Sequence, residues 1–262
     1  MESIQDISKS YDVYSKEAEK VEEEYNKKID EAETKVELLC KKYKDNAYFN
    51  SKQRNFLNKC NKQNFENIRE EENEKTLFNK YFWSYIDACF VIRNSMVKEE
   101  MWNLIFSYLF NLCHLIELNI KTLKVKNING FENVKSNHEL LKMYKDKKQE
   151  ILNLGLDEKY YDILIAELTD LGNLVSEKDM AMCFKYPLGK DFETIIINDN
   201  LRKIKPDEIV VLLEKHKKLL MIIMCIKLLS QTSNYKKSIN ELNDFIIKFE
   251  EIELEIEKEL NS

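Results

Sequence analysis

The sequence predicts an all-α protein with long N- and C-terminal helices in coiled-coil-like packing. Three observations carry this. Only 4 glycines and 2 prolines occur in 262 residues, too few for the turns of a β-fold. Apolar residues recur at steps of three and four over long stretches at both ends. Hydrophobic residues make up 44% and charged residues 34%, the mix expected of amphipathic helices around a sizeable core.

The first helix is expected over 12–45. Tyr14, Ala18, Val21, Tyr25, Ile29, Ala32, Val36, Leu39 and Tyr43 form a seam with charged outer faces. A second helix is expected over 50–75, ending in the acidic patch Glu70 to Glu74. An aromatic helix follows at 77–94, then a central one at 98–125. A loop from Lys126 to Asn137 precedes helices at 138–152 and 157–174, with Gly155 and Gly172 as helix ends. Phe184 to Gly189 breaks the chain, and Thr194 to Ile197 leaves room for one short strand near 190–198. Pro206, with Asp207 and Glu208 behind it, starts a helix over 206–231. The last helix, 235–260, repeats a seam through Tyr235, Ile239, Leu242, Ile246, Phe249, Ile256 and Leu260. The two terminal seams are expected to pack on each other, within one chain or across a dimer. The domains read as a helical hairpin at 1–76, a helical bundle at 77–232 and a C-terminal helix at 233–262.

Charge narrows the partners. The net charge of −6 argues against a strongly basic nucleic-acid wrapper. Its distribution is uneven. Lys41, Lys42, Lys44, Lys52, Arg54, Lys59 and Lys62 face a single acid, Asp45, with Tyr43, Tyr48, Phe49 and Phe56 interleaved. Ammonium groups for phosphates and rings for stacking suit a nucleic-acid surface, so Lys41, Lys42, Lys44, Lys52 and Arg54 are candidate contacts. The competing reading is a helix connection with solvated lysines. A second lysine-rich stretch runs from Lys121 to Lys148. The tail from Thr232 is acidic.

Six scattered cysteines without a CxxC pair read as buried reduced thiols, in keeping with a cytoplasmic location. The longest apolar run, Leu219 to Leu229, is interrupted by Lys227 and is too short to span a bilayer, so no membrane partner is expected. No cofactor or metal site is predicted. No phosphate-cradling glycine loop, G-x-S-x-G or H-E-x-x-H occurs.

The most informative stretch is 107–144. His114, Glu117 and Lys121 share one helix face inside an otherwise apolar helix, and His138 opens the next. Such groups must find partners, because unpaired burial costs roughly 1–3 kcal/mol or more each. They are expected to meet in one polar network, structural or ligand-binding. His216, within Glu214 to Lys218, is expected to be a partly exposed helix-face residue.

His114, Glu117, Leu118, Lys121 and Leu123, followed by His138 and Leu140, resemble the HEPN family of helical domains. There a helix of the form H-x-x-E-L-x-x-K-x-L packs beside one opening H-x-L. The aromatic helix from Tyr81 to Arg93 is similar, and Phe184, Lys185, Tyr186 and Pro187 resemble an aromatic-basic-Tyr-Pro segment of some members. The resemblance covers 77–232. It implies a bundle of four or five helices that usually dimerises, and it adds Arg93, Lys185 and Tyr186 to the candidate site. Many members cleave RNA through an R-x(4–6)-H motif. Here no arginine and histidine have that spacing. The resemblance therefore implies a non-catalytic protein that binds a nucleotide, RNA or a partner protein, in a prokaryotic defence or regulatory (toxin–antitoxin-like) setting, with no catalytic residues. The alternatives are a divergent ribonuclease pairing Arg93 with His114, and a scaffold recruiting proteins through its terminal helices.

Overall fold

A computed structural model describes residues 3–42, 62–123, 140–174 and 204–260. Every regular element in them is helical, and no strand occurs among the described residues. The elements are α1 (Ile4–Lys42), α2 (Lys62–Glu99), a 3₁₀ turn (Trp102–Leu104), α3 (Ile105–Thr122), α4 (Leu140–Asp146), α5 (Lys148–Asn153), α6 (Glu158–Leu174) and α7 (Pro206–Leu260). The expected loop at 126–137, the Phe184 to Gly189 break and the strand near 190–198 lie outside the described residues.

Several boundaries differ from expectation, each for a local reason. α1 starts eight residues early because Ser3 and Asp6 cap it reciprocally. The Asp6 amide donates to the Ser3 hydroxyl at 3.3 Å, and the Ser3 amide donates to the Asp6 carboxylate at 3.3 Å. α2 runs through the acidic patch without interruption, since nothing between Lys62 and Glu99 is a glycine or proline. The two helices expected at 206–231 and 235–260 are one helix of 55 residues. The polar stretch Ser230 to Asn234 lowers propensity but contains no breaker. Gly172 lies inside α6 rather than after it. Gly155 does end α5, with φ of +103°, and its amide donates to the Leu152 carbonyl at 2.9 Å. Pro206 opens α7 as expected, and the Lys205 amide donates to Glu208 at 2.9 Å.

The chain divides into two compact units. The first comprises Met1–Ser15 and Thr76–Ser230, the second Lys16–Lys75 and Gln231–Ser262. α1, α2 and α7 each contribute to both.

In the first unit α3 is the centre. Ile105, Tyr108, Leu109, Leu112, Cys113, Leu115, Ile116, Glu117, Asn119 and Ile120 are all buried on it. Phe82, Ile86, Cys89 and Met96 of α2 and Leu213, Leu220, Ile223 and Ile226 of α7 join the same cluster. Ile7 of α1 is fully buried there too. α2 and α7 run antiparallel, because Phe82 meets Lys227 while Arg93 meets Glu214.

In the second unit Val21, Tyr25, Ile29, Ala32 and Val36 of α1 form one apolar cluster with Ile239, Leu242, Ile246 and Phe249 of α7. The terminal seams therefore meet within one chain. Glu17 pairs with Lys236 at 2.8 Å and Lys35 pairs with Glu250, so the two segments run in the same direction. Tyr25 and Tyr235 pack with ring centres 5.2 Å apart. The acidic tail thus pairs in part with lysines of the same chain.

Phe249 is a large buried side chain of this seam, 2% exposed. Phe249→Ala should destabilise the second unit by about 3–5 kcal/mol, the usual cost of such a truncation. Urea unfolding of the full chain, followed by hydrogen exchange of the α1 and α7 amides in 16–42 and 231–260, checks this.

Candidate functional site

The sequence singled out His114, Glu117 and Lys121 on one face of α3, together with His138, and the structure describes the first three. Glu117 is buried and forms an ion pair with Lys121 one turn on, while Lys121 keeps 22% of its side chain exposed. His114 is half-buried against two rings. Its own ring lies 4.7 Å from Tyr85 and 6.2 Å from Phe110, the latter stacked at 5°. His138 lies outside the described residues, as do Lys185 and Tyr186.

Arg93 is held elsewhere. Its guanidinium pairs with Glu214, and its Nε donates to the Leu213 carbonyl at 3.4 Å. Tyr85, which touches His114, is eight residues back along α2, a rise of about 12 Å. The polar groups of Arg93 and His114 thus face different neighbours at different levels of the helix pair.

Of the candidate nucleic-acid contacts, Lys41 is exposed near the end of α1. The side chain of Lys42, and Lys44, Lys52 and Arg54 altogether, lie outside what is described. On α4, Lys142 and Lys145 are exposed.

The best-connected buried polar group is one that sequence reasoning missed. Asn119 is fully buried on α3. Its Nδ2 donates to the Ile223 carbonyl of α7 at 3.4 Å, and its Oδ1 accepts from the Tyr144 hydroxyl of α4 at 2.8 Å. The Tyr161 hydroxyl of α6 then donates to the Tyr144 carbonyl at 3.1 Å. Four helices are tied by one buried chain of bonds. An asparagine in helical register with Leu112, Leu115 and Ile116 was the available signal, since such a residue must be satisfied internally.

A second buried polar group overturns an expectation. His216 is 1% exposed, not a surface residue. Its ring stacks on Tyr108 with centres 5.7 Å apart, and its Nδ1 is buried without a hydrogen-bond partner among the described residues. Burial first, then the Lys215 charge, push the imidazole down to about 3. The lysines around it suggested a wet face. However, position 216 continues the stripe of Ile209, Leu212, Leu213, Leu220 and Ile223. The Tyr108 hydroxyl is likewise buried and unpartnered.

The thiols of Cys89, Cys113 and Cys225 are buried, and burial pushes Cys89 and Cys225 up to about 12. Cys89 and Cys225 are therefore poor nucleophiles. Among the described residues no group of three His, Cys, Asp or Glu side chains could hold a metal ion, and no helix is long and apolar enough to cross a membrane. Comparison with protein-family models, curated proteins and solved structures returned no match.

Two outcomes are expected. Tyr144→Phe removes the bond that satisfies the Asn119 Oδ1, so it should cost about 1–3 kcal/mol in a chemical denaturation series. His216 sets a pH dependence. Its folded value lies below the ordinary 6.5, so between these values the unfolded chain takes up a proton that the folded chain refuses. Its contribution is complete above pH 6.5 and is lost as pH falls toward 3, by roughly 2–3 kcal/mol at pH 4. Glu167, whose half-buried carboxyl is pushed up by desolvation, acts in the opposite sense and partly offsets this slope. Stability measured from pH 4 to 7 should therefore show a smaller slope in His216→Phe than in the wild type.

Proposed function

We propose that the chain is a non-catalytic, HEPN-like helical protein that binds RNA or a nucleotide in a prokaryotic defence or regulatory system. The supporting observation is the use to which the bundle puts its polar side chains. Arg93 is paired with Glu214, Lys121 with Glu117, and His114 packs against two rings. His216 is buried and held neutral. A ribonuclease needs an arginine on the scissile phosphate beside a histidine free to move a proton. These residues are instead part of the packing, which favours binding over cleavage. The exposed Lys41, Lys142 and Lys145 supply ammonium groups for phosphates. A homodimer is part of this proposal through the family resemblance.

A protein-scaffold reading has its own support. Ile247 and Leu254 are exposed, 54% and 56%, seven residues apart on α7, and so share one face. Such a stripe suits a helical partner.

The test uses the full chain with labelled single-stranded RNA. Binding without cleavage is expected, and the affinity should fall steeply as salt rises. Replacing Lys41, Lys42, Lys44 and Lys52 together by alanine should reduce the slope of log affinity against log salt by about 3 units, if each contacts a phosphate. An unchanged slope removes this segment from the interface. Cleavage abolished by His114→Ala would establish the divergent ribonuclease. Absence of RNA binding, with capture of a helical partner lost on Ile247→Asp, would favour the scaffold.

A further inference from the structure

Three consecutive residues near the front of α7 tie it to three different helices. Glu214 pairs with Arg93 of α2. Lys215 pairs with Asp170 of α6 at 2.7 Å. His216, 1% exposed, stacks on the buried Tyr108 of α3. A carboxylate or an imidazole takes part in each tie. The first turn is capped by a carboxylate as well, since Glu208 accepts the Lys205 amide at 2.9 Å. The hydrogen bonds that anchor α7 further on are of another kind. The Ile223 carbonyl accepts from Asn119, whose oxygen accepts from Tyr144, and all three groups are neutral amides or hydroxyls. One end of α7 is thus fastened by groups that titrate in acid, and its middle by groups that do not.

The surroundings of His216 offer a proton no home. Its Nδ1 has no acceptor among the described residues, and the Tyr108 face returns only part of the hydration that an imidazolium loses on burial. The cations nearby, Arg93, Lys215, Lys217 and Lys218, repel a further positive charge. Glu214 and Asp170 are engaged with Arg93 and Lys215. Cys89, Cys113 and the Tyr108 hydroxyl, which lie together, stay neutral in acid. Once the turn comes away, water solvates the proton, so acid favours the opened state. Still lower pH discharges Asp170 and Glu214 and loosens two pairs that are weak singly because they are half exposed. Glu167 of α6 works in the opposite sense, since desolvation raises its carboxyl in the closed state.

We propose that the front of α7 is an acid-released arm: in mild acid the segment from Pro206 to Lys218 leaves α2, α3 and α6, while the rest of α7 stays in the bundle. The bonds at Asn119 hold that remainder, because nothing in them changes charge in this range. Lys227, further along α7 beside Phe82, gains almost no proton between pH 7 and pH 5. The arm withdraws Ile209, Leu212 and Leu213, and it uncovers the Tyr108 ring. An apolar surface is therefore displayed in acid and covered at neutral pH. This is a local and reversible exposure, distinct from a loss of stability of the whole unit.

The experiment follows amide hydrogen exchange of the full chain from pH 7 to pH 4.5, with each rate divided by the chemical rate at that pH. An exposed imidazole of ordinary value 6.5 favours the open state about twenty-fold more at pH 5 than at pH 7. With Glu167 opposing, protection of amides 209–218 should fall at least about tenfold over that step. Protection of 222–229 and of α3 should change by less than about threefold. The loss should begin near pH 6.5 and grow several-fold with each further pH unit, which the wild type alone reveals. His216→Phe keeps a ring against Tyr108 and takes up no proton, so it should abolish most of the loss. His216→Leu should do the same, and it serves where the phenylalanine does not fit. A flat profile in 209–218 would overturn the proposal. So would an equal loss in 209–218 and 222–229, which is opening of the whole unit, or a loss that survives replacement of His216.

Discussion

The first unit depends on one constraint: Asn119 lies on the buried side of α3, so its polar atoms must be satisfied by neighbouring helices. Hydrophobic burial alone does not fix which helix lies where, because apolar surfaces are interchangeable. Asn119 is not interchangeable. It needs an acceptor for its amide and a donor for its oxygen, and it finds them in the Ile223 carbonyl and the Tyr144 hydroxyl. That requirement sets α4 and α7 in register with α3, and Tyr161 extends it to α6. Misplacing any of these helices by one turn would strand a buried polar group.

The second unit is held by different means. Its apolar seam is narrow, with small Ala32 and branched Val21, Ile29 and Val36 facing Ile239, Leu242 and Ile246. Direction is reinforced at the rim, where Glu17 meets Lys236 and Lys35 meets Glu250. Exposed pairs of this kind contribute little each, about 0–1 kcal/mol. They nonetheless disfavour the opposite orientation, in which the acidic end of α7 would approach the acidic stretch Glu17 to Glu24 of α1.

The helical class and the approximate positions of most helices were legible in the sequence, since period and turn scarcity are local properties. The pairing of the terminal seams was legible too, although whether it lay within or between chains was not. The breaks inside α2 and α7 were misread because acidic and small polar runs lower helix propensity without ending a helix. His216 was misread because its charged neighbours were weighed and its place in the apolar stripe was not. Glu117 and Lys121 were recognisable from their spacing. Asn119, with no charge to draw notice, depends on partners more than twenty residues away in sequence, and nothing local announces them.

The parallel course of α1 and α7 has a consequence for how the polypeptide is made. Glu17 meets Lys236 across 219 positions, so this contact cannot form until Lys236 has left the ribosome. Until then α1 presents Val21, Tyr25 and Ile29 without their cover. Its first turns, by contrast, can join the bundle earlier, since Ser10 meets Tyr160 at 2.9 Å. Synthesis thus orders assembly: the bundle gathers as its helices emerge, and the seam closes after it. Closing a loop this long in a free chain is entropically costly and slow. Here the described helices of the bundle gather first, which shortens the free chain that the closure must span.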